Sequence, residues 1–284
     1  GAAKAAFRIH KSFVELGYDA HLLVSHKKSD YPNVVSVVQN HIDRQKEKYQ
    51  QTIDFLPVFL HKERTTDAWS AAWFSPYNVS QHPLVQSADV ILLYWVVGGF
   101  LSVQEIGKIL ALGKPVFWRL SDMWAFTGGC HYSGSCENYV SGCFDCPQLG
   151  IEKYLDLARR QFRHKQNWDC SHLTILAPSQ WVADCAKKSK LFSGFNIKVI
   201  GTGVDKSVFK HRNKDSCRQI WNLPTDRKVI LFGAVNPFGD SRKGGKELIE
   251  SLKEYAKKIQ KSDRPLLIIF GSYQIPSELG AIFD

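Results

Sequence analysis

The sequence predicts an α/β protein with parallel, doubly wound sheets in two domains. Three observations predict it. Short β-branched runs alternate with stretches of helical apolar spacing. The run at 88–97 is almost continuously apolar, as a central parallel strand covered on both faces must be. A polar stretch at 211–226 interrupts the alternation before a second sheet begins. The expected organisation is a first domain at 1–210 carrying a cysteine-rich loop at 121–150, a linker region at 211–226, and a second domain at 227–284. The second is too short to be a complete domain of the usual size.

Each element follows from local pattern. Residues 2–16 place Ala3, Ala6, Phe7, Phe13 and Leu16 at helical spacing and stop at Gly17, a glycine C-cap. Residues 20–24 and 34–38 read as strands, and 43–54 as a polar helix. Trp69, Trp73, Phe74 and Tyr77 then form an aromatic segment. After the strand at 88–97, residues 102–112 form an amphipathic helix ending at Gly113, and 115–119 the next strand. A helix is expected at 151–168, where Arg159, Arg160, Arg163, His164 and Lys165 make one basic segment. That segment is either a solvated face or a surface that rests on anionic lipid. A strand at 173–177 leads through Ser179, a suitable N-cap, into a helix ending at Ser189. Another strand at 197–200 enters Gly201-Thr202-Gly203-Val204-Asp205. The second domain shows a strand at 228–234, a loop at 233–245 opening a helix to Gln260, and a strand at 265–270. Sheets of this kind bind ligands beyond the carboxyl ends of their strands, which is where Ser121, Asp122 and the cysteine loop fall.

Four of the seven cysteines, Cys130, Cys136, Cys143 and Cys146, lie in that loop. The Cys143-x-x-Cys146 spacing lets two thiolates reach one metal, and Cys130 with Cys136 would close a four-sulfur structural zinc site. Their own spacing is wider than usual for such a site, so two disulfides or reduced core thiols stand as alternatives. An odd cysteine total with three outside the loop argues against a secreted disulfide framework and for the cytoplasm. A net charge of +10 implies anionic partners: sugar nucleotides, acidic phospholipid or nucleic acid. The longest apolar run, 90–100, is too short to cross a bilayer. With Met123 as the only methionine and Gly1 entering a helix directly, the chain is expected to be a fragment that lacks a first strand.

The run LSDMWAFTGGCHYSGSC, continuing to CFDCPQLG, resembles the signature of bacterial exopolysaccharide and lipopolysaccharide glycosyltransferases of glycosyltransferase family four, which have the GT-B fold. The likeness extends from Gly1-Ala2-Ala3 to Arg242-Lys243-Gly244. It implies two Rossmann-like domains facing a cleft, the first on the acceptor side and the second, incomplete, binding the nucleotide sugar. The implied activity is retaining, metal-independent transfer of a hexose from a UDP- or GDP-sugar to a lipid-linked or saccharide acceptor. It needs no cofactor for catalysis, and would take place in the cytoplasm or peripherally at the inner face of the plasma membrane.

The resemblance also assigns residues. Gly1, before the first helix, would approach the donor phosphates, where helix N–H groups favour anions. Arg242 and Lys243 would hold the donor diphosphate. The aromatic segment would pack in the core or line an acceptor groove. Gly201 to Asp205 matches an N-G-V-D segment with Thr202 where asparagine is usual. Many relatives carry histidine before the aspartate of H-D-M-W, and Ser121 stands there in this chain. The role of that histidine passes either to Ser121 with Asp122 and Trp124 or to His131. The family's acidic E-x7-E element lies beyond Asp284, so the chain is expected to be inactive alone. A zinc-containing nucleic-acid-binding protein is the alternative. Against it, 130–146 contains no Lys or Arg and includes Glu137 and Asp145.

Overall fold

A computed structural model describes residues 1–284 except 39, 151–155, 272, 273, 281 and 284. The chain divides into two compact units, Gly1–Asp205 and Lys206–Asp284.

The first unit opens with α1 (Ala2–Glu15), β1 (Leu22–Val24) and β2 (Val34–Ser36), the two strands pairing in parallel with Leu22 opposite Val34. α2 (His41–Phe59) is longer than the expected 43–54. Its start is set by Asn40, whose side chain accepts the Asp43 N–H. After α3 (Pro83–Ser87) come β3 (Ile91–Leu93), α4 (Val103–Leu110) and β4 (Val116–Arg119). A long loop follows, broken only by a 3₁₀ turn at Trp124–Phe126 and by α5 (Asn138–Ser141). Then α6 (Leu157–Gln166), β5 (Leu173–Ala177), α7 (Gln180–Lys188) and β6 (Ile197–Val199) complete the unit. Ser179 caps α7 as its position predicts, accepting the Val182 N–H. Residues 151–155 of the expected helix at 151–168 lie outside the described residues.

Strands β3, β4, β5 and β6 form one parallel sheet in that order, with Val116 opposite Leu173 and Arg119 opposite Leu176. Its core is packed by Ile106, Trp118, Leu120, Phe126 and Ile175, all at most 2% exposed. The expected central strand at 88–97 is corrected. Only Ile91–Leu93 pairs, and it stands at the end of the strand order. Past Leu93 the chain leaves the sheet through Gly98 and Gly99, whose φ angles are +74° and +84°. Glycine is required at Gly99, since a Cβ there would lie 2.4 Å from the Gln50 carbonyl oxygen of α2.

The second unit begins at Lys206, five residues before the region the sequence marks as a linker. α8 (Lys214–Ile220) forms there because Asn213 accepts the Ser216 N–H and Arg218 turns inward, so the region at 211–226 is not a plain linker. β7 (Val229–Gly233), α9 (Gly245–Lys257), β8 (Leu266–Phe270) and α10 (Ser277–Gly280) follow. β7 and β8 pair in parallel over five residues. A small core of Leu252, Ala256, Leu279 and Phe283 lies beneath them. Both units are therefore α/β, and every pairing between the named strands is parallel.

Candidate functional site

The loop that leaves β4 is fixed by one carboxylate. Asp122 Oδ1 accepts the Trp124 N–H at 2.9 Å, and Oδ2 accepts the Trp95 indole N–H at 3.1 Å. The same Oδ2 lies 2.6 Å from His131 Nδ1. A carboxylate oxygen only accepts, so Nδ1 carries the hydrogen, and Nε2 is hydrogen-bonded to the Ser70 hydroxyl at 2.9 Å. The side chains of His131 and Asp122 are 10% and 11% exposed, so the pair is largely buried. Main-chain bonds lock the histidine in place. Ser70 N–H donates to the Gly129 oxygen at 2.9 Å and His131 N–H to the Ala68 oxygen at 3.0 Å. Between these two bonds Trp69 and Cys130 form an antiparallel bridge. Gly129 must be glycine: its φ is +146° and a Cβ would come within 2.4 Å of the Trp69 ring.

Beneath the loop lies Lys165 of α6, 2% exposed. Its Nζ donates to the Trp124 oxygen at 2.5 Å and the Thr127 oxygen at 3.0 Å, and stands 3.5 Å above the Trp124 ring. Burial pushes its pKa down to about 7, against the opposing influence of Cys143, Cys130 and Asp122. The four loop cysteines lie close enough to influence one another electrostatically. Burial pushes the Cys130 and Cys143 thiols up to about 12 and raises Cys146 as well. Opposing that, Cys143 Sγ accepts the Gly128 N–H at 3.0 Å, and Cys146 is favoured as a thiolate by the N–H groups of Gln148 and Leu149. As the side chains stand, no three His, Cys, Asp or Glu among the described residues are arranged to hold a metal ion.

Other expected site residues are placed differently. Trp124 is 3% exposed, with its indole N–H on the Ser70 oxygen at 2.9 Å. Ser121 is half-buried and lines a narrow crevice together with Tyr94, Trp95 and Asp122. Gly1 caps α1 in the open, where a Cβ would meet nothing within 4 Å. In the second unit Arg242 and Lys243 form a 3₁₀ turn with Ser241, followed by Gly244 in the left-handed region (φ +74°), which starts α9. Arg242 is held by Asp240 through bonds of 2.8 and 2.7 Å, and this pairing keeps the Asp240 carboxyl below its usual range.

No protein-family model matches the chain. Over 235 residues, covering 73% of it, the chain is 25% identical to a protein of Escherichia coli K12 provisionally named a colanic acid biosynthesis glycosyl transferase. The chain spans about half the length of that relative, 52%.

Sequence reasoning missed Ser70, Trp95, Asp54 and the inward course of Lys165. Ser70 meets His131 across 61 residues of chain, which no local pattern reveals. Lys165 was legible: it stands three and seven residues after Phe162 and Ala158, on the buried stripe of α6, and so does not belong with the outward-facing Arg159, Arg160 and Arg163. Asp54 is buried in α2, facing the N–H groups of Ala72, Trp73 and Gly99, and burial raises its pKa to about 7. Of the aromatic segment, Trp69 and Tyr77 are buried while Trp73 stays exposed.

Proposed function

We propose that the protein is a GT-B glycosyltransferase of cell-surface polysaccharide biosynthesis, moving a hexose with retention from a UDP- or GDP-sugar to a lipid-linked or saccharide acceptor. The observation that carries this reading is Asp122, pinned by His131 and Trp95 beyond the carboxyl end of β4. The name of the relative and the loop signature support it.

In this reading the pinned carboxylate is a positioning group, since its oxygens already accept three N–H groups. Two neighbours are left for the sugar. The Ser121 hydroxyl makes no hydrogen bond among the described residues, and Trp95 is 43% exposed with its ring tilted beside His131. An exposed indole face packs against the apolar face of a sugar ring, while a hydroxyl fixes its orientation. Transfer requires stabilising a departing diphosphate, for which the second unit offers Lys243 and Arg242. Zinc at Cys130, Cys136, Cys143 and Cys146 would hold the loop and take no part in transfer. The N–H groups directed at Cys143 and Cys146 suit thiolate ligands, and metal analysis that finds no zinc removes this part.

A thermal-shift titration with UDP- and GDP-sugars tests the donor assignment. One nucleotide series should raise Tm, and Lys243→Ala should weaken that response by about tenfold, the value of one charge-assisted hydrogen bond, without lowering the ligand-free Tm. A chain that answers to neither series, or a variant that responds as the parent does, ends the proposal.

A further inference from the structure

Arg119, the last residue of β4, is 4% exposed and has no carboxylate within ion-pair distance among the described residues. Its Nη2 donates to Thr202 Oγ1 at 2.6 Å, while its buried Nε has no partner. A guanidinium never loses its charge in a protein, and an uncompensated buried cation costs several kcal/mol. Lys165, the other deeply buried cation of this unit, shows what compensation looks like: two carbonyl oxygens and an aromatic face. Arg119 has one hydroxyl.

Its surroundings are built for an anion. Arg119 sits at the carboxyl end of a parallel strand, where sheets of this topology receive ligands. Alternation along the strand turns it away from Trp118 and the crevice side of the sheet. Thr202 belongs to the Gly201-Thr202-Gly203 turn that leaves β6. That turn is exposed, and its Thr202 and Gly203 N–H groups make no backbone hydrogen bond among the described residues. A Cβ added to Gly201 or Gly203 would meet nothing within 4 Å, so the space over the turn is open. Arg8 of α1 reaches the same turn, donating to the Gly203 oxygen at 3.1 Å. Tyr94, at the exit of β3, lies close enough to feel the Arg119 charge.

We infer that Arg119, Thr202 and the N–H groups of the 201–203 turn form an anion site in the first unit that takes a phosphoryl group. A planar fork that is always charged suits a phosphate oxyanion, and exposed peptide N–H groups complete the cradle. The inference does not depend on the transferase reading, which assigns none of these residues. The phosphoryl group has two possible sources, the diphosphate of a nucleotide or a phosphate ester on a second substrate.

The test uses the whole chain, with inorganic phosphate, pyrophosphate and UDP as probes and sodium chloride of matched ionic strength as the control. Phosphate or pyrophosphate should raise Tm beyond the chloride control, and Arg119→Met should weaken the apparent affinity at least tenfold. The ligand-free Arg119→Met variant should melt no lower than the parent, because removing an uncompensated buried charge relieves a cost. Thr202→Val should give a smaller loss of affinity in the same direction. A site for the nucleotide diphosphate would lose UDP binding in Arg119→Met together with phosphate binding, whereas a site for a second substrate would lose phosphate binding and keep its response to UDP. An Arg119→Met chain that responds to phosphate like the parent overturns the site, as does a parent with no response beyond chloride. A variant that fails to fold or melts well below the parent overturns it too, because the arginine is then structural.

Discussion

The β4 loop of the first unit and the Asp240–Gly245 loop of the second both gather polar and charged groups, and they do so in opposite ways. In the first, charge is buried and answered by many partners: Asp122 by three N–H groups, Lys165 by two carbonyls and an aromatic ring, His131 by Asp122 and Ser70. In the second, Arg242 is 42% exposed and its acidic partner stands only two residues away. The first arrangement fixes geometry before any ligand arrives, which suits groups that must be held to a fraction of an ångström. The second keeps its cations close to water.

Lys165→Met tests that contrast most severely. It leaves the Trp124 and Thr127 carbonyls without their donor, and about 1–3 kcal/mol for each unpaired buried group predicts a loss of roughly 4 kcal/mol. Denaturant unfolding would register it, and a midpoint within experimental scatter of the parent would show that the loop does not lean on this lysine.

Asp54→Asn is expected to act on the same region more gently and with a pH signature. The folded-state pKa of Asp54 is about 7 against an ordinary 3.8, so between these values the unfolded chain gives up a proton that the folded chain keeps. Its contribution is fully present below about pH 4 and is lost as pH rises through 7. The variant should gain on the parent across that window, by about 2 kcal/mol once interior relaxation weakens the full shift. Melting curves at pH 4.5 and 7.5 decide it, and a difference between the two proteins that does not change with pH refutes the buried-carboxyl account.

The smallest effect belongs to the open loop. Asp240→Ala removes a partly exposed ion pair and the carboxylate that caps the 3₁₀ turn, and its cost should stay at about 1 kcal/mol. A loss comparable to that of the lysine variant would erase the distinction between the two loops.

The alternation of strands and helices was legible because periodicity is local: residues 173–177 form the strand their pattern predicts, and Ser179 caps the following helix. Position within a sheet was not. The apolar run at 88–97 carries no sign that only three residues pair, because the Gly98–Gly99 turn is demanded by the approach of α2, a contact across about fifty residues. Likewise the sequence offers Asp122 and His131 as neighbours in one loop but gives no hint of Ser70 or Trp95. These join through loops that have no periodicity. The charge run in α6 misled because charge is counted along the chain whereas burial follows the helix face.

The ladder joining 68–70 to 129–131 has a consequence for how the chain reaches its structure. Its bonds tie segments about sixty residues apart, and closing so long a loop costs about 4 kcal/mol of chain entropy before any contact offsets it. The intervening β3, α4 and β4 shorten that search only after they have formed. The histidine and Ser70 therefore meet late in folding. In pulse-labelling hydrogen exchange the amides of Ser70 and His131 should gain protection after those of β4 and β5.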